Sequence, residues 1–350
     1  MERPWFLKTG GMVGERPGIT WRTALGLLLA FVALFASLQA WWLSTAAPGV
    51  LGGPRVVEIP PRLGLVAVAQ RLDAAGVIKS PLGFMLLATA RGSARGLKAG
   101  EYEIPQGASS VAVLALLEGG RVLQHPVLLR EGATLGELAR MIETERLASA
   151  PEILRVARDP VFLRTLAIQA DSVEGYLFPD TYQFVKGMSP EEMLARMVAR
   201  MRDQITPPIL EQARARDLSL HQLLTLASII EREAVERKEM PLISAVFWNR
   251  LARDIPLQAD PTVQYALGKE GRALTRADLQ VESPFNTYRR TGLPPGPIAN
   301  PGRAAIEAAV RPAQVGYLYF VAMNERQHHF STSLAEHNAA VAQSRLARAR

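Results

Sequence analysis

Among the acidic residues of this chain, Glu231 occupies the least ordinary surroundings. The stretch from Leu218 to Ala234 reads LSLHQLLTLASIIEREA, with Ser219 and Gln222 spaced as a capping box at its start. At about 100° per residue, Leu220, Leu223, Leu224, Ala227, Ile230, Ala234 and Val235 gather on one side of a helix. Glu231 falls within that stripe, Arg232 and Glu236 point away, and Glu233 lies off its edge. A carboxylate centred on an apolar face is costly unless it is paired or protonated. Desolvation raises its pKa, the property required of a group that donates a proton near neutral pH. The plainer alternative is a buried glutamate satisfied by an arginine such as Arg250 or Arg289. A second set of polar residues lies near turn-forming glycine or proline: Glu174, Tyr176, Asp180, Gln258, Asp260, Asn286 and Tyr288. Loops of this kind line ligand clefts, and they also use such side chains for capping and turn hydrogen bonds. Glu174 and Asp260 are the preferred supporting groups, and Glu233 is the rival for the acid.

Composition narrows the chemistry further. With 350 residues, 48% of them hydrophobic, the chain can build two or three folded domains. It has no cysteine, which removes disulfides and thiolate metal sites. Of five histidines only His328 and His329 are adjacent, and no HExxH pattern accompanies them, so no metal is expected. The net charge of +7 is spread along the chain except for the run Arg345 to Arg350. No zinc-finger spacing, RNA-recognition signature or basic zipper is present, and nucleic acid is not an expected partner. GxGxxG, Walker and GxSxG motifs are also missing, so no cofactor is implied.

These groups must be positioned by the elements around them. From Thr23 to Leu43 the chain is uncharged, about the length needed to cross a bilayer, and Trp21, Trp41 and Trp42 bracket the run. Arg3, Lys8, Arg16 and Arg22 precede it. The positive-inside bias therefore predicts a cytoplasmic segment 1–22, a transmembrane helix 23–43 and an exported remainder. A signal peptide cleaved near Ser44-Thr45-Ala46 is the alternative, although the apolar run exceeds the usual signal core. Residues 44–55, rich in glycine and proline, read as a linker. Beyond it, an extended apolar run, a turn and a helix recur three times. The runs are Val56 to Pro60 leading into Leu63 to Leu72, Glu101 to Pro105 into Val111 to Leu117, and Pro126 to Leu129 into Leu135 to Ile142. From Pro151 helices dominate, readable at Pro190 to Ile205, Ser219 to Glu236, Met240 to Arg253, Arg276 to Gln280 and Arg303 to Val310. A strand at Tyr317 to Ala322 precedes a final helix from Ser333. The expected fold is α+β, with a domain at 56–150 and a helix-rich catalytic domain at 151–350.

Several motifs carry a resemblance. EGYLFPDTY at Glu174 to Tyr182 and LASIIERE at Leu226 to Glu233 are similar to signatures of the YceG-like endolytic murein transglycosylases. So are Val246 to Leu251, Leu257 to Tyr265, Ser283 to Tyr288 running on to Gly292 to Ile298, and Tyr317 to Val321 with His329-Phe330. Arg232 replaces the usual lysine, and Trp248 the usual tyrosine or isoleucine. The third β-α copy resembles a LysM element, which implies glycan binding in the 56–150 domain; a spacer is the alternative. The family resemblance implies that Glu231 is the catalytic acid and that the substrate is the glycan strand of peptidoglycan. It implies cleavage between N-acetylmuramic acid and N-acetylglucosamine to leave a 1,6-anhydro end, with the muramic C6 hydroxyl as nucleophile. No second carboxylate is then needed, unlike in ordinary glycosidases. It also implies association with peptidoglycan synthases (penicillin-binding proteins) at the inner membrane, and termination of strand growth. A non-catalytic glycan-binding protein and a hydrolytic muramidase are the competing readings.

Overall fold

A run of about twenty residues without charge has no polar side to turn outward, and it folds as one long helix, α1 (Trp21–Ser44). Its span Trp21–Leu43 is long and apolar enough to cross a bilayer. The computed structural model describes residues 20–44, 53–324 and 327–348. Arg3, Lys8, Arg16 and the linker from Thr45 to Gly52, including the cleavage-like Thr45-Ala46, lie outside these residues.

The chain divides into two compact units between Leu123 and Gln124. After α1, the first contains β1 (Arg55–Ile59), α2 (Leu65–Ala74), α3 (Pro81–Ala90), β2 (Gly100–Ile104) and α4 (Ser110–Gly119). β1 and β2 pair antiparallel, with Val57 opposite Tyr102. Their two-residue alternation turns Val57, Ile59, Tyr102 and Ile104 inward, onto a core that includes Leu72, Phe84 and Leu114. Ser80 and Ser109 cap α3 and α4 by accepting the N–H groups of Gly83 and Ala112.

The second unit opens with β3 (Gln124–Leu128), α5 (Leu135–Thr144), α6 (Ala150–Val156), α7 (Pro160–Thr165) and β4 (Thr181–Val185). β3 pairs antiparallel with β4, Val127 opposite Tyr182. The three sequence copies are thus β1–α2, β2–α4 and β3–α5, and strand pairing sorts them into two units. Because β3 pairs with β4, which has no counterpart in the sequence reading, β3, α5 and α6 belong with the second unit. The compact units therefore part at Leu123, before the Ala150–Pro151 division drawn from sequence.

The rest of the second unit is α8 (Pro190–Gln204), α9 (Pro207–Arg214), α10 (Leu220–Glu233), α11 (Met240–Leu251), α12 (Asp260–Leu267) and α13 (Arg303–Val310). The antiparallel hairpin β5 (Tyr319–Ala322) and β6 (His328–Ser331) and then α14 (Leu334–Arg348) complete it. α10 is buried on every side from Leu223 to Ile230, so a single apolar stripe does not describe it. It ends at Glu233. Ala234 is already extended, at φ −74° and ψ 127°, and Val235 is exposed, so two residues counted in the stripe lie past the helix. The helix expected at Arg276 to Gln280 is only a short 3-10 turn at Asp278–Gln280.

Candidate active site

The last turn of α10 presents Glu231 and Glu233, roughly 200° apart around the axis. Glu231 Oε2 accepts the backbone N–H of Gly302 at 2.8 Å, at the start of α13, where a negative group is favoured. Nearby, Arg232 Nη1 donates to the Gly132 carbonyl at 3.1 Å, and Arg237 donates to Glu131 at 2.6 Å. Burial raises the Glu231 pKa; the Gly302 N–H opposes the rise and Glu131 adds to it. This carboxyl ties α10 to the entry of α13.

Glu233 opens instead on a cleft of about 400 Å³, whose walls include Arg250, Gln258, Asp260, Tyr288, Phe320 and His328. Burial pushes its carboxyl up to about 8, with the negative charge of Asp260 adding and Arg232 and Arg250 opposing. Asp260, in the first turn of α12, accepts the Tyr288 hydroxyl at 2.6 Å. Burial raises the Tyr288 pKa and Asp260 reinforces the rise, so the phenol remains a donor.

The cleft is held open by a lattice of backbone contacts. Arg250 donates to the carbonyls of Leu318 (2.7 Å), Pro256 (3.1 Å) and Leu257 (3.0 Å) and to Gln258 Oε1 (3.2 Å). Gln258 sits at φ 53°, a left-handed position that costs a non-glycine residue roughly 1–3 kcal/mol unless its surroundings impose it. Thr287 supplies that constraint: its carbonyl accepts the Gln258 N–H at 3.1 Å and its Oγ1 the Ala259 N–H at 3.0 Å. Asn286 is fully buried, donates to the Leu279 and Val281 carbonyls, and accepts the Tyr288 N–H at 3.0 Å. It fixes Tyr288 from beneath. His328, which also lines the cleft, is joined to Glu239 through Nδ1 at 2.8 Å and through its backbone N–H at 3.0 Å.

The structure therefore brings Gln258, Asp260 and Tyr288 together around Glu233, with Asn286 beneath them. Glu174, Tyr176 and Asp180 have other partners. Glu174, 5% exposed, accepts the Leu135 N–H at 2.9 Å and Asn300 Nδ2 at 3.1 Å, and burial pushes it up to about 8. The Tyr176 hydroxyl bonds His221 Nδ1 at 2.9 Å, and His221 Nε2 bonds the Pro295 carbonyl at 2.7 Å. Asp180 pairs with Arg200 at 2.9 Å and accepts the Thr181 N–H. Arg289, one of the two arginines considered as partners for Glu231, pairs with Glu282. Arg250, Thr287, Glu239 and His328 come from stretches far apart in the chain, and no local periodicity marks them. Arg250 and Thr287 fall within the Val246 to Leu251 and Ser283 to Tyr288 motifs and His328 is marked by its adjacency to His329, whereas nothing in the sequence marks Glu239.

The profile of the YceG-like family matches residues 57–343. The chain is 35% identical over 299 residues to the endolytic murein transglycosylase of Bacillus subtilis (strain 168), covering 81% of this chain and 83% of that protein. It is 31% identical over 319 residues to the endolytic murein transglycosylase of Streptococcus pneumoniae serotype 2 (strain D39), covering 82% of this chain and 58% of that longer protein. A YceG-like protein of Listeria monocytogenes, known from a 2.6 Å crystal structure, superimposes with a TM-score of 0.59 at 34% identity. That match covers 82% of this chain and 98% of the other.

Proposed function

The chain belongs to the YceG-like family, and on that footing we propose that it is an endolytic murein transglycosylase whose general acid is Glu233. The observation that carries the residue is the position of Glu233 on the cleft it shares with Asp260 and Tyr288, where burial also pushes its carboxyl up to about 8. The periodicity of α10 favours Glu231, but that carboxyl is bonded to Gly302, on another side of the helix. In the proposed reaction Glu233 protonates the oxygen joining muramic C1 to N-acetylglucosamine, and the C1–O bond breaks. Positive charge develops at C1, and Asp260, which accepts the Tyr288 hydroxyl on the wall of the same cleft, is the acidic group assigned to oppose it. The muramic C6 hydroxyl then closes on C1 and returns its proton to the Glu233 carboxylate. One C–O bond breaks, one forms, the acid is regenerated, and no water is consumed. Attack by a tethered hydroxyl gains effective molarity that a free water lacks.

Asp260 also gives the hydrolytic reading a specific footing, because a muramidase needs a second carboxylate near the acid. The products separate the two. Glycan strands digested by the purified protein should end in 1,6-anhydromuramic acid, which borohydride cannot reduce, from cuts within strands. Reducible muramic ends as the main product would establish hydrolysis, and disaccharides released only from strand ends would remove the endolytic claim.

The remaining assignments rest on sequence features. α1 is read as a single-pass inner-membrane anchor with a cytoplasmic N-terminus and the chain beyond α1 outside. The first unit beyond α1, up to Leu123, is read as a glycan-binding or spacer region, and the β3–α5 copy that resembles a LysM element lies in the second unit. Peptidoglycan synthases are the proposed partners, with cleavage of their nascent strands ending elongation.

A further inference from the structure

α3 has the composition of a helix with no aqueous side. Its ten residues, PLGFMLLATA, include no charge, and Thr89 carries the only polar side-chain group. Such a helix belongs in a protein interior or against lipid. Only part of it is inside: Phe84 and Ala88 are fully buried in the core of the first unit, whereas Leu82 and Leu86, one turn apart on the outer face, are each 63% exposed. Two contacts fix where this face lies relative to α1. Lys79, just before α3, donates to the Trp42 carbonyl at 2.7 Å and lies 5.2 Å from the centre of the Trp42 ring. Gly83 abuts Leu43, since a Cβ there would come 2.9 Å from the Leu43 side chain. α3 therefore begins at the end of α1 where Trp41 and Trp42 mark a membrane interface.

We propose that α3 is an interfacial helix, lying in the headgroup layer of the bilayer that α1 crosses, with Leu82 and Leu86 turned into the acyl boundary. Lys79 at its start and Arg91 at its C-cap place basic groups at the level of anionic headgroups. Because Gly83 abuts Leu43, Leu82 lies next to the end of α1, whose own exposed residues are apolar, and this selects lipid over a soluble partner. The inference rests on α1 being a membrane anchor.

The chain has no cysteine, so single spin labels can be placed without background. Leu82→Cys, Leu86→Cys and, within α1, Phe35→Cys would be labelled in the full chain. Each variant would be reconstituted in nanodiscs of phosphatidylethanolamine and phosphatidylglycerol. All three positions are exposed, so the label leaves the core intact. Collisions with lipid-soluble oxygen should exceed those with a water-soluble nickel chelate at all three. Chelate-dominated collisions at 82 and 86, with oxygen dominant at 35, would overturn the interfacial helix and leave the anchor standing. Chelate dominance at 35 would overturn the anchor and the proposal with it. Spin–spin broadening at 82 or 86 that disappears on dilution with unlabelled chain would assign the face to a second copy and overturn the proposal.

Discussion

Two causes push the Glu233 carboxyl up, desolvation and the charge of Asp260, and substitution can separate them. Activity should fall above about pH 8, as Glu233 ionises. Asp260→Asn removes a negative neighbour, which favours the ionised form and lowers the Glu233 pKa. The alkaline limb of the kcat/KM profile should therefore move to lower pH, and an unmoved limb would contradict the coupling. Stability follows the same sign. Glu233 and Glu174 are both raised to about 8 from an ordinary 4.5, so between these values the folded chain binds more protons than the unfolded one. Their joint contribution weakens as pH rises through that window. A Glu174→Gln variant should therefore lose less thermal stability between pH 5 and pH 8 than the parent, as calorimetry would measure. Glu174 also illustrates what residue type reveals. Its place beside Gly175 suggested a cleft ligand, but its oxygens serve the Leu135 N–H and Asn300, a role visible only once residues 39 and 126 positions away are brought together.

At the scale of the element, helical periodicity located α10 and its capping box well but ranked its two carboxyls by a stripe that the fold dissolves. A helix buried on all sides has no single core face, and the two residues that centred the stripe on Glu231 lie beyond its end. What distinguishes the carboxyls is the element each one meets, α13 for Glu231 and the cleft for Glu233. The EGYLFPDTY stretch is similarly architectural. Gly175 has φ +80°, and a Cβ there would come 2.2 Å from the Pro297 ring, which cannot yield as a flexible side chain would. Gly175→Ala should destabilise the second unit by about 2–4 kcal/mol, from overpacking and left-handed strain together. A denaturation midpoint equal to the parent's would show that the 297 loop is free to move. The pairing of β3 with β4, by contrast, was not legible. β4 is five residues long and its partner lies more than fifty residues earlier, so neither length nor periodicity announces it.

Across the whole molecule, the sequence was most informative where a physical requirement is continuous along the chain, as in α1, and least where a site is assembled from several elements, as in the Glu233 cleft. On the proposed topology, with the N-terminus cytoplasmic, a reporter fused after Val50 should be exported; a cytoplasmic reporter would reverse it. The central claim is that strand cleavage depends on Glu233 and not on Glu231. Mass spectrometry of anhydro ends formed from purified glycan strands by Glu233→Gln and Glu231→Gln tests it directly. An amide cannot donate the acidic proton, so Glu233→Gln should lose at least about 10²-fold in rate while remaining folded. Glu231→Gln can still accept the Gly302 N–H and should cleave at close to the parent rate. Near-parental cleavage by Glu233→Gln, with loss of activity in a folded Glu231→Gln, would contradict the account and return the acid to Glu231.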